Sequence, residues 1–434
     1  MKLNNIKSTL AILLFISATA FSQQTPANKQ SESILIVGAT AHIGNGTAIK
    51  NSAIGFDNGK INFVGLAISA NKANYTSVID AAGKDIYPGF IAPNSTLGLA
   101  EIDAVRATRD YQEVGEMNPN IRSIVAFNTE SRLIETMRQN GVLMAQITPR
   151  GGLISGASSV VQFDAWNWED AILKSDDGIH LNWPAAFRRT WMGPNAGKVM
   201  PNKDYEKQIN TLGSFFDNAL IYGKTEPQDT NLKYKAVQGL FDSRQSLFIH
   251  TNNAQEISDA VKFINNHNIK KMVIVGGAEA YKVSALLKEN NIPVLLRRVH
   301  SLPNSEDEDV DLPFRLPKIL NDFGLLVGLQ ANGDMERMNT RNLPFYAGTA
   351  VAYGLDYEQA VALITLNTAK ILGMDKSIGS LEVGKDATLF ISTGDALDMR
   401  TNNAERAFIQ GRDIRLDSHQ KVLYNRYMKK YHGK

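Results

Sequence analysis

The sequence contains no cysteine among its 434 residues. Disulfide bonds, thiolate catalysis and a lipid anchor on cysteine are therefore excluded. A charge bias is also missing, because 46 lysines and arginines stand against 44 aspartates and glutamates and leave a net charge of +2. Without a basic field, the chain is not expected to have nucleic acid as its main partner.

Long apolar runs are scarce, and the clearest one lies at the N-terminus, over residues 10–18. Lys2 and Lys7 precede this run, and the small residues Ala20 and Ser22 follow it at the positions that determine cleavage. The run is too short to span a bilayer, so it predicts a secretory signal peptide over residues 1–22, cleaved near Ser22. We expect a periplasmic or secreted protein without a stable membrane span. An uncleaved anchor is the alternative, although no stop-transfer pattern follows.

Strands and helices alternate between residues 247 and 296, where apolar runs of strand length are separated by amphipathic segments. This alternation is typical of parallel strands joined by crossover helices, the repeat of a (β/α)8 TIM-like barrel. We therefore predict an α/β fold with a barrel over residues 86–375 and a polar leader over residues 23–32. A small composite β-sandwich domain is expected from residues 33–85 and 376–434, the second of which ends in a helix.

Motifs flank the predicted barrel on both sides. Residues 78–84 read Val-Ile-Asp-Ala-Ala-Gly-Lys, and residues 88–91 read Pro-Gly-Phe-Ile. Residues 379–389 read Gly-Ser-Leu-Glu-Val-Gly-Lys-Asp-Ala-Thr-Leu. These motifs resemble the start and the end of the barrel in the amidohydrolase superfamily, in particular its imidazolonepropionase-like branch. The resemblance implies a hydrolase that cleaves C–N bonds in small amide, imide or cyclic amide substrates with a metal-activated water, and not an ordinary protease.

The metal ligands of that family are missing from the positions where the resemblance places them. Family members continue with Asp-x-His-x-His, whose two histidines bind the catalytic metal, and this chain has Asn94 and Thr96 at the two histidine positions. No His-x-His pair occurs among the seven histidines. Amide and hydroxyl oxygens are weak substitutes for imidazole on zinc. The sequence therefore predicts a divergent member with a degenerate metal site.

Two residues near the ends of predicted strands are the catalytic candidates. His250 closes a buried strand, at the end where barrel enzymes keep their chemistry. Asp334 follows the last barrel strand, and the resemblance gives it the role of metal-binding general base, with Gln330 as the alternative if that strand stops earlier. A structural histidine and a turn aspartate are the simpler interpretations of the same two residues.

The substrate-binding candidates are Arg150, Arg298, His300 and Asn94. Arg150 lies in a glycine-rich loop, where it can pair with a carboxylate, although a flexible connection explains that loop equally well. No metal site is assigned, and its remnant ligands would be His250, His180 and Asp334. A single divalent metal such as zinc is the alternative to none.

Two hypotheses on function follow. In the first, the chain is a divergent hydrolase of the amidohydrolase type that acts on a small molecule. In the second, it is a non-catalytic paralogue that binds a small ligand or pairs with an active relative. We also expect either a homo-oligomer or pairing with a related amidohydrolase.

Overall fold

The computed structural model describes residues 25–190, 197–225, 229–304, 307–333 and 335–433. The predicted signal peptide and the catalytic candidate Asp334 lie outside these residues. Within them, no helix combines the length and the apolar character that crossing a membrane requires.

The strands of the described residues form three larger sheets and a two-stranded ribbon. In chain order they are β1 Ile34–Val37, β2 Thr40–His42, β3 Ala48–Ile49, β4 Ser52–Asp57, β5 Lys60–Leu66, β6 Ser77–Asp80, β7 Asp85–Pro88, β8 Phe90–Ser95, β9 Val142–Ile147, β10 Ile154–Gln162, β11 Ile172–Asn182, β12 Phe187–Arg189, β13 Val199–Pro201, β14 Ser246–Thr251, β15 Met272–Gly276, β16 Val294–Leu296, β17 Val327–Leu329, β18 Leu389–Ser392, β19 Ala404–Ile409 and β20 Arg412–Ile414.

Helices fill most of the connections between the barrel strands. In chain order they are α1 Arg132–Arg138, α2 Trp168–Ala171, α3 Tyr205–Tyr222, α4 Leu232–Ala236, α5 Ala254–Asn266, α6 Ser284–Glu289, α7 Leu312–Asp322, α8 Glu336–Asn339, α9 Leu343–Ala352, α10 Tyr357–Leu363, α11 Leu366–Ile371 and α12 His419–His432. Helix α5 shows why they form: the Asn253 side chain caps its first turn, and Ile257, Val261 and Ile264 form its buried face.

The largest sheet is the barrel, an eight-stranded sheet in the order β17-β16-β15-β14-β11-β10-β9-β8. Strands β11, β14, β15, β16 and β17 pair in parallel, as the alternation predicted. The sheet is nearly closed into a barrel. One seam stays open, because no backbone ladder joins β17 to β8 in the described residues. Its interior is packed by apolar side chains from neighbouring strands, namely Ile91, Met144, Val160, Phe248, Val275 and Leu295.

One barrel strand differs from a uniform (β/α)8 repeat. Strand β10 runs antiparallel to both of its neighbours, β9 and β11. The connection over residues 148–153 contains Gly151 and Gly152 at positive φ, and it is too short for the crossover that a parallel strand needs. The chain therefore turns back directly, and the parallel repeat resumes at β11.

The two smaller sheets lie on each other and share one buried core. One has the order β5-β4-β1-β6, and the other, β20-β19-β18-β7-β2-β3, combines strands from both ends of the chain. The Asn58-Gly59 turn between β4 and β5 has both residues at positive φ, the conformation that a tight hairpin needs. The shared core includes Ile36, Phe56, Leu389 and Phe408. A separate composite β-sandwich domain, with the boundaries given above, stays a prediction.

Candidate functional site

A polar cavity of about 490 Å³ opens where β14, β15, β16 and β17 end. The carboxyl ends of parallel strands are where barrel proteins place their functional groups. The polar side chains that line the cavity are His250, Thr251, Asn252, Arg297, Asn304, Gln330 and Asn332. Gln330 directly follows β17 and lines this cavity.

A pair of histidines lies beside the cavity. His180 is on β11 and His250 is on the neighbouring strand β14, and His180 Nδ1 lies 2.8 Å from His250 Nε2. The His180 ring stacks on Phe248, with ring centroids 4.7 Å apart and an angle of 2° between the planes. Because β11 and β14 are adjacent and parallel, two residues far apart in sequence meet at the same edge of the sheet.

The surroundings of both imidazoles disfavour their protonated forms. Burial lowers the pKa of His250 to about 3, and the positive charge of Arg150 contributes to this shift. Burial also lowers the pKa of His180 well below its ordinary value, with His250 and Arg150 as further causes. The second ring nitrogen of His180, Nε2, is buried without a hydrogen-bond partner among the described residues.

Asn94 connects the first and last barrel strands across the open seam. It is fully buried near the end of β8, in the left-handed region at φ 50°. Its side-chain amide donates a hydrogen bond to Gln330 Oε1, and Gln330 Nε2 donates to the Leu295 carbonyl at 2.9 Å. The backbone N–H of Asn94 donates to Gln146 Oε1 at 3.1 Å. A side-chain bridge therefore joins the two strands at the level of the site.

Both terminal nitrogens of the Arg150 guanidinium donate hydrogen bonds to Asn94. Its Nη1 donates to the Asn94 side-chain oxygen at 2.9 Å, and its Nη2 donates to the Asn94 carbonyl at 2.8 Å. Nη1 also lies 3.4 Å from the carbonyl oxygens of Thr148 and Pro149. Burial lowers the pKa of Arg150, whereas the charge of Glu336 acts in the opposite direction.

Thr96, which follows β8, is bound by charged residues of α8. Glu336 accepts hydrogen bonds from the Ser95 hydroxyl at 2.6 Å, from the Thr96 backbone N–H at 3.1 Å and from the Thr96 hydroxyl. Arg337 Nη1 lies 3.1 Å from the same hydroxyl oxygen and donates to it. Asn94 and Thr96 stand at the positions where the family resemblance expects histidines. The side chains of both residues are thus engaged in hydrogen bonds within the protein.

The described residues do not fit the metal centre that the resemblance implies. They contain no group of three or more histidine, aspartate or glutamate side chains placed to hold a metal ion. Of the three remnant ligands, His180 and His250 hydrogen-bond each other and Asp334 lies outside the described residues. Two imidazoles beside a guanidinium fall short of the donor set that zinc requires. No chemical step is therefore derived through a metal.

The other two predicted substrate-binding residues, His300 and Arg298, hydrogen-bond residues outside the histidine pair. His300 Nε2 lies 2.7 Å from the Thr349 hydroxyl, in a separate, mostly apolar cavity of about 530 Å³ that Leu302, Phe314 and Tyr353 also line. Arg298 lies beside Gly333 and hydrogen-bonds the Tyr346 side chain. The structure therefore brings Asn94, Arg150, His180 and His250 together, and it places His300 outside the lining of the polar cavity.

Three residues of the network are missing from the sequence-based candidates, namely Gln146, Asp177 and Glu336. Gln146 Nε2 donates to Asp177 Oδ2 at 2.8 Å, and burial raises the pKa of Asp177. A glutamine within the otherwise apolar strand β9 is a detectable signal, because a buried polar side chain needs partners. No feature of the sequence near Glu336 indicated that it would accept hydrogen bonds from the end of β8.

The barrel sheet is nearly closed and has a polar cavity at the carboxyl ends of its parallel strands. This is the architecture of barrel enzymes, which have their active sites at that end. The model of the Amidohydrolase family matches residues 228–413. The chain is therefore similar to the amidohydrolase family, as the flanking motifs predicted.

Individual relatives agree with this similarity. The chain is similar to the imidazolonepropionase of Bacillus cereus, at 22% identity over 368 residues that cover 79% of this chain and 83% of that protein. The crystal structure of an amidohydrolase from Thermotoga maritima matches with a TM-score of 0.75 and 26% identity, covering 88% of this chain and 99% of that one. A Xaa-Pro dipeptidase with bound methionine shares the fold, with a TM-score of 0.54, 13% identity, and coverage of 88% and 99%.

Proposed function

We propose that the chain is an exported amidohydrolase-family protein that hydrolyses a C–N bond in a small amide, imide or cyclic amide, with a degenerate metal site. The observation that carries this proposal is the polar cavity at the carboxyl ends of the barrel strands, into which His250 and Gln330 project. The family match and the similarity to imidazolonepropionases support the reaction class. The signal peptide predicted over residues 1–22 supports a periplasmic or secreted location.

Hydrolysis of an amide needs a donor for the developing oxyanion and an acceptor for the proton of water. The Arg297 guanidinium and the Asn252 and Asn332 amides line the cavity and supply donors. His250 is the acceptor among the described residues, and the resemblance assigns the general base to Asp334. Arg150 already donates to Asn94, so its action on a substrate is electrostatic, while Arg298 and Asn94 remain our candidates for orienting the substrate.

A specific observation favours a second candidate, a non-catalytic paralogue that binds a small ligand. The pKa of His250, about 3, makes its imidazole a weak base at neutral pH. Its Nε2 is also engaged by His180. Such a cavity can bind an amide without turning it over, and the chain would then act alone or paired with an active relative.

One experiment separates the two candidates. The mature chain is assayed for bound metal and for turnover of N-acyl amino acids, dipeptides and cyclic amides, with and without divalent ions such as zinc. Turnover that falls at least roughly 100-fold in Asp334→Asn and His250→Ala variants supports the hydrolase. Binding of the same compounds without turnover, unchanged in the Asp334→Asn variant, supports the binding paralogue. Light scattering on the same samples tests the proposed homo-oligomer.

A further inference from the structure

We infer that Arg150 is a built-in cation that takes the place of the family's metal ion at the end of β8. A second part of the inference is that restoring histidines at positions 94 and 96 does not restore metal binding while Arg150 remains. This inference deepens the proposed function and rests on its degenerate metal site.

The first support is the position of the guanidinium. The resemblance implies that the family's two histidines at the end of this strand bind the metal, and in this chain the first of these positions is Asn94. Both terminal nitrogens of Arg150 bind that one residue, Nη1 at the side-chain oxygen and Nη2 at the backbone oxygen. A planar guanidinium with two parallel donors is suited to this two-point contact, whereas an ammonium group acts as a point charge.

The second support is charge. The oxygens that accept from Arg150 are amide and backbone carbonyls of Asn94, Thr148 and Pro149, and no ion pair to Arg150 is present among the described residues. Its positive charge is therefore not neutralised by direct contact there, and its field reaches both His180 and His250. A divalent cation bound by those two imidazoles would be repelled by this charge in a poorly solvated site.

The third support is the use of the remaining strand-end groups. Thr96, at the second histidine position, is hydrogen-bonded to Glu336 and Arg337. The side-chain amide of Asn94 donates a hydrogen bond to Gln330. The polar groups at the end of β8 thus already have hydrogen-bond partners among the described residues.

The test measures zinc content after dialysis and zinc affinity by titration calorimetry, independently of turnover. The compared proteins are the wild type, the Asn94→His/Thr96→His double variant, that double variant with Arg150→Met, and that double variant with Arg150→Lys. We expect roughly one zinc per chain with Arg150→Met, and at least roughly tenfold weaker binding in the other three. Arg150→Lys is the matched control because it keeps the charge, and Arg109→Met in the double variant controls for removal of an exposed arginine.

Stoichiometric zinc in the wild type or in the double variant with Arg150 intact would overturn the inference. A folded triple variant that stays free of zinc would overturn it as well. If the triple variant does not melt cooperatively, the single Arg150→Met variant decides. Zinc must then bind at least roughly tenfold more tightly than to the wild type, and His180→Ala must abolish the gain. Zinc exclusion by Arg150 without turnover of any amide would reject the proposed hydrolysis and leave this inference standing.

Discussion

His180 Nδ1 and His250 Nε2 lie 2.8 Å apart, so one imidazole donates a hydrogen bond to the other. The two residues come from adjacent parallel strands of the barrel and lie in an environment that disfavours their protonated forms. A direct hydrogen bond between neutral rings requires one proton on the bridging pair of nitrogens, and protonation of both rings would break it.

The neutral state of this pair is the first prediction. Because burial lowers both pKa values, the two imidazoles should stay neutral between pH 5 and 8, where a histidine in the unfolded chain titrates near 6.5. Below about pH 6.5 the unfolded state therefore binds more protons at these two residues than the folded state does. As a result, their contribution lowers the free energy of unfolding as pH falls. Imidazole nitrogen shifts in NMR spectra measure this directly. A protonation midpoint between pH 5 and 8 for either residue would contradict the prediction.

The second prediction concerns Glu336, which holds the end of β8. A Glu336→Gln change replaces one carboxylate oxygen by a donor that faces the Thr96 N–H and hydroxyl, so we expect a loss of roughly 2–3 kcal/mol in the free energy of unfolding. Urea denaturation measures the change. Glu169→Gln, at an exposed position, is the matched control and should stay within about 0.5 kcal/mol of the wild type. Equal effects of the two changes would refute the role of Glu336.

The third prediction concerns His42, which is buried where the smaller sheets meet the barrel. Burial alone would lower its pKa, but hydrogen bonds and charge from Asp85 and Glu358 outweigh this and raise the pKa to about 9. The raised pKa stabilises the fold fully below pH 6.5, and this contribution disappears as pH rises through about 9. We expect the free energy of unfolding to fall by about 3 kcal/mol at most across this window.

Denaturation at several pH values between 6 and 10 tests the His42 prediction. A His42→Gln variant carries no titrating group at this position, so its stability should lack that fall. His267→Gln is the matched control, because His267 also pairs with a carboxylate, Asp217 at 2.7 Å, but at the surface. The prediction fails if His42→Gln keeps the pH dependence of the wild type.

The fourth prediction concerns Gly141, which precedes β9 at φ 80°. A Cβ atom there would lie 2.4 Å from the Phe390 ring of β18, so Gly141→Ala combines backbone strain with a steric clash. Gly384→Ala is the matched control, because Gly384 has φ 90° but no heavy atom within 4 Å of the added Cβ. We expect a loss of roughly 1 kcal/mol for Gly384→Ala and a further 1–3 kcal/mol for Gly141→Ala. Thermal unfolding compares them, and equal losses would rule out the contact with Phe390.

The local patterns of the sequence determined the position of many elements. Residues 247–250 are a continuous apolar run ending in His250, as expected for a strand buried on both faces, and they form part of β14. The Asn58-Gly59 pair determined a tight hairpin because both residues tolerate positive φ. The flanking motifs led to the family whose model matches residues 228–413, and Asn94 and Thr96 stand where the resemblance expects histidines.

Tertiary structure alone decided which polar groups meet. Glu336 contacts Ser95 across 241 residues of sequence, and Arg150 contacts Asn94 only because the chain turns back after β9. It also decided that β10 runs antiparallel and that His300 lies in a separate cavity. The physical reason is that hydrophobic periodicity encodes which face of an element is buried, whereas the register and closure of the barrel determine which strand ends become neighbours.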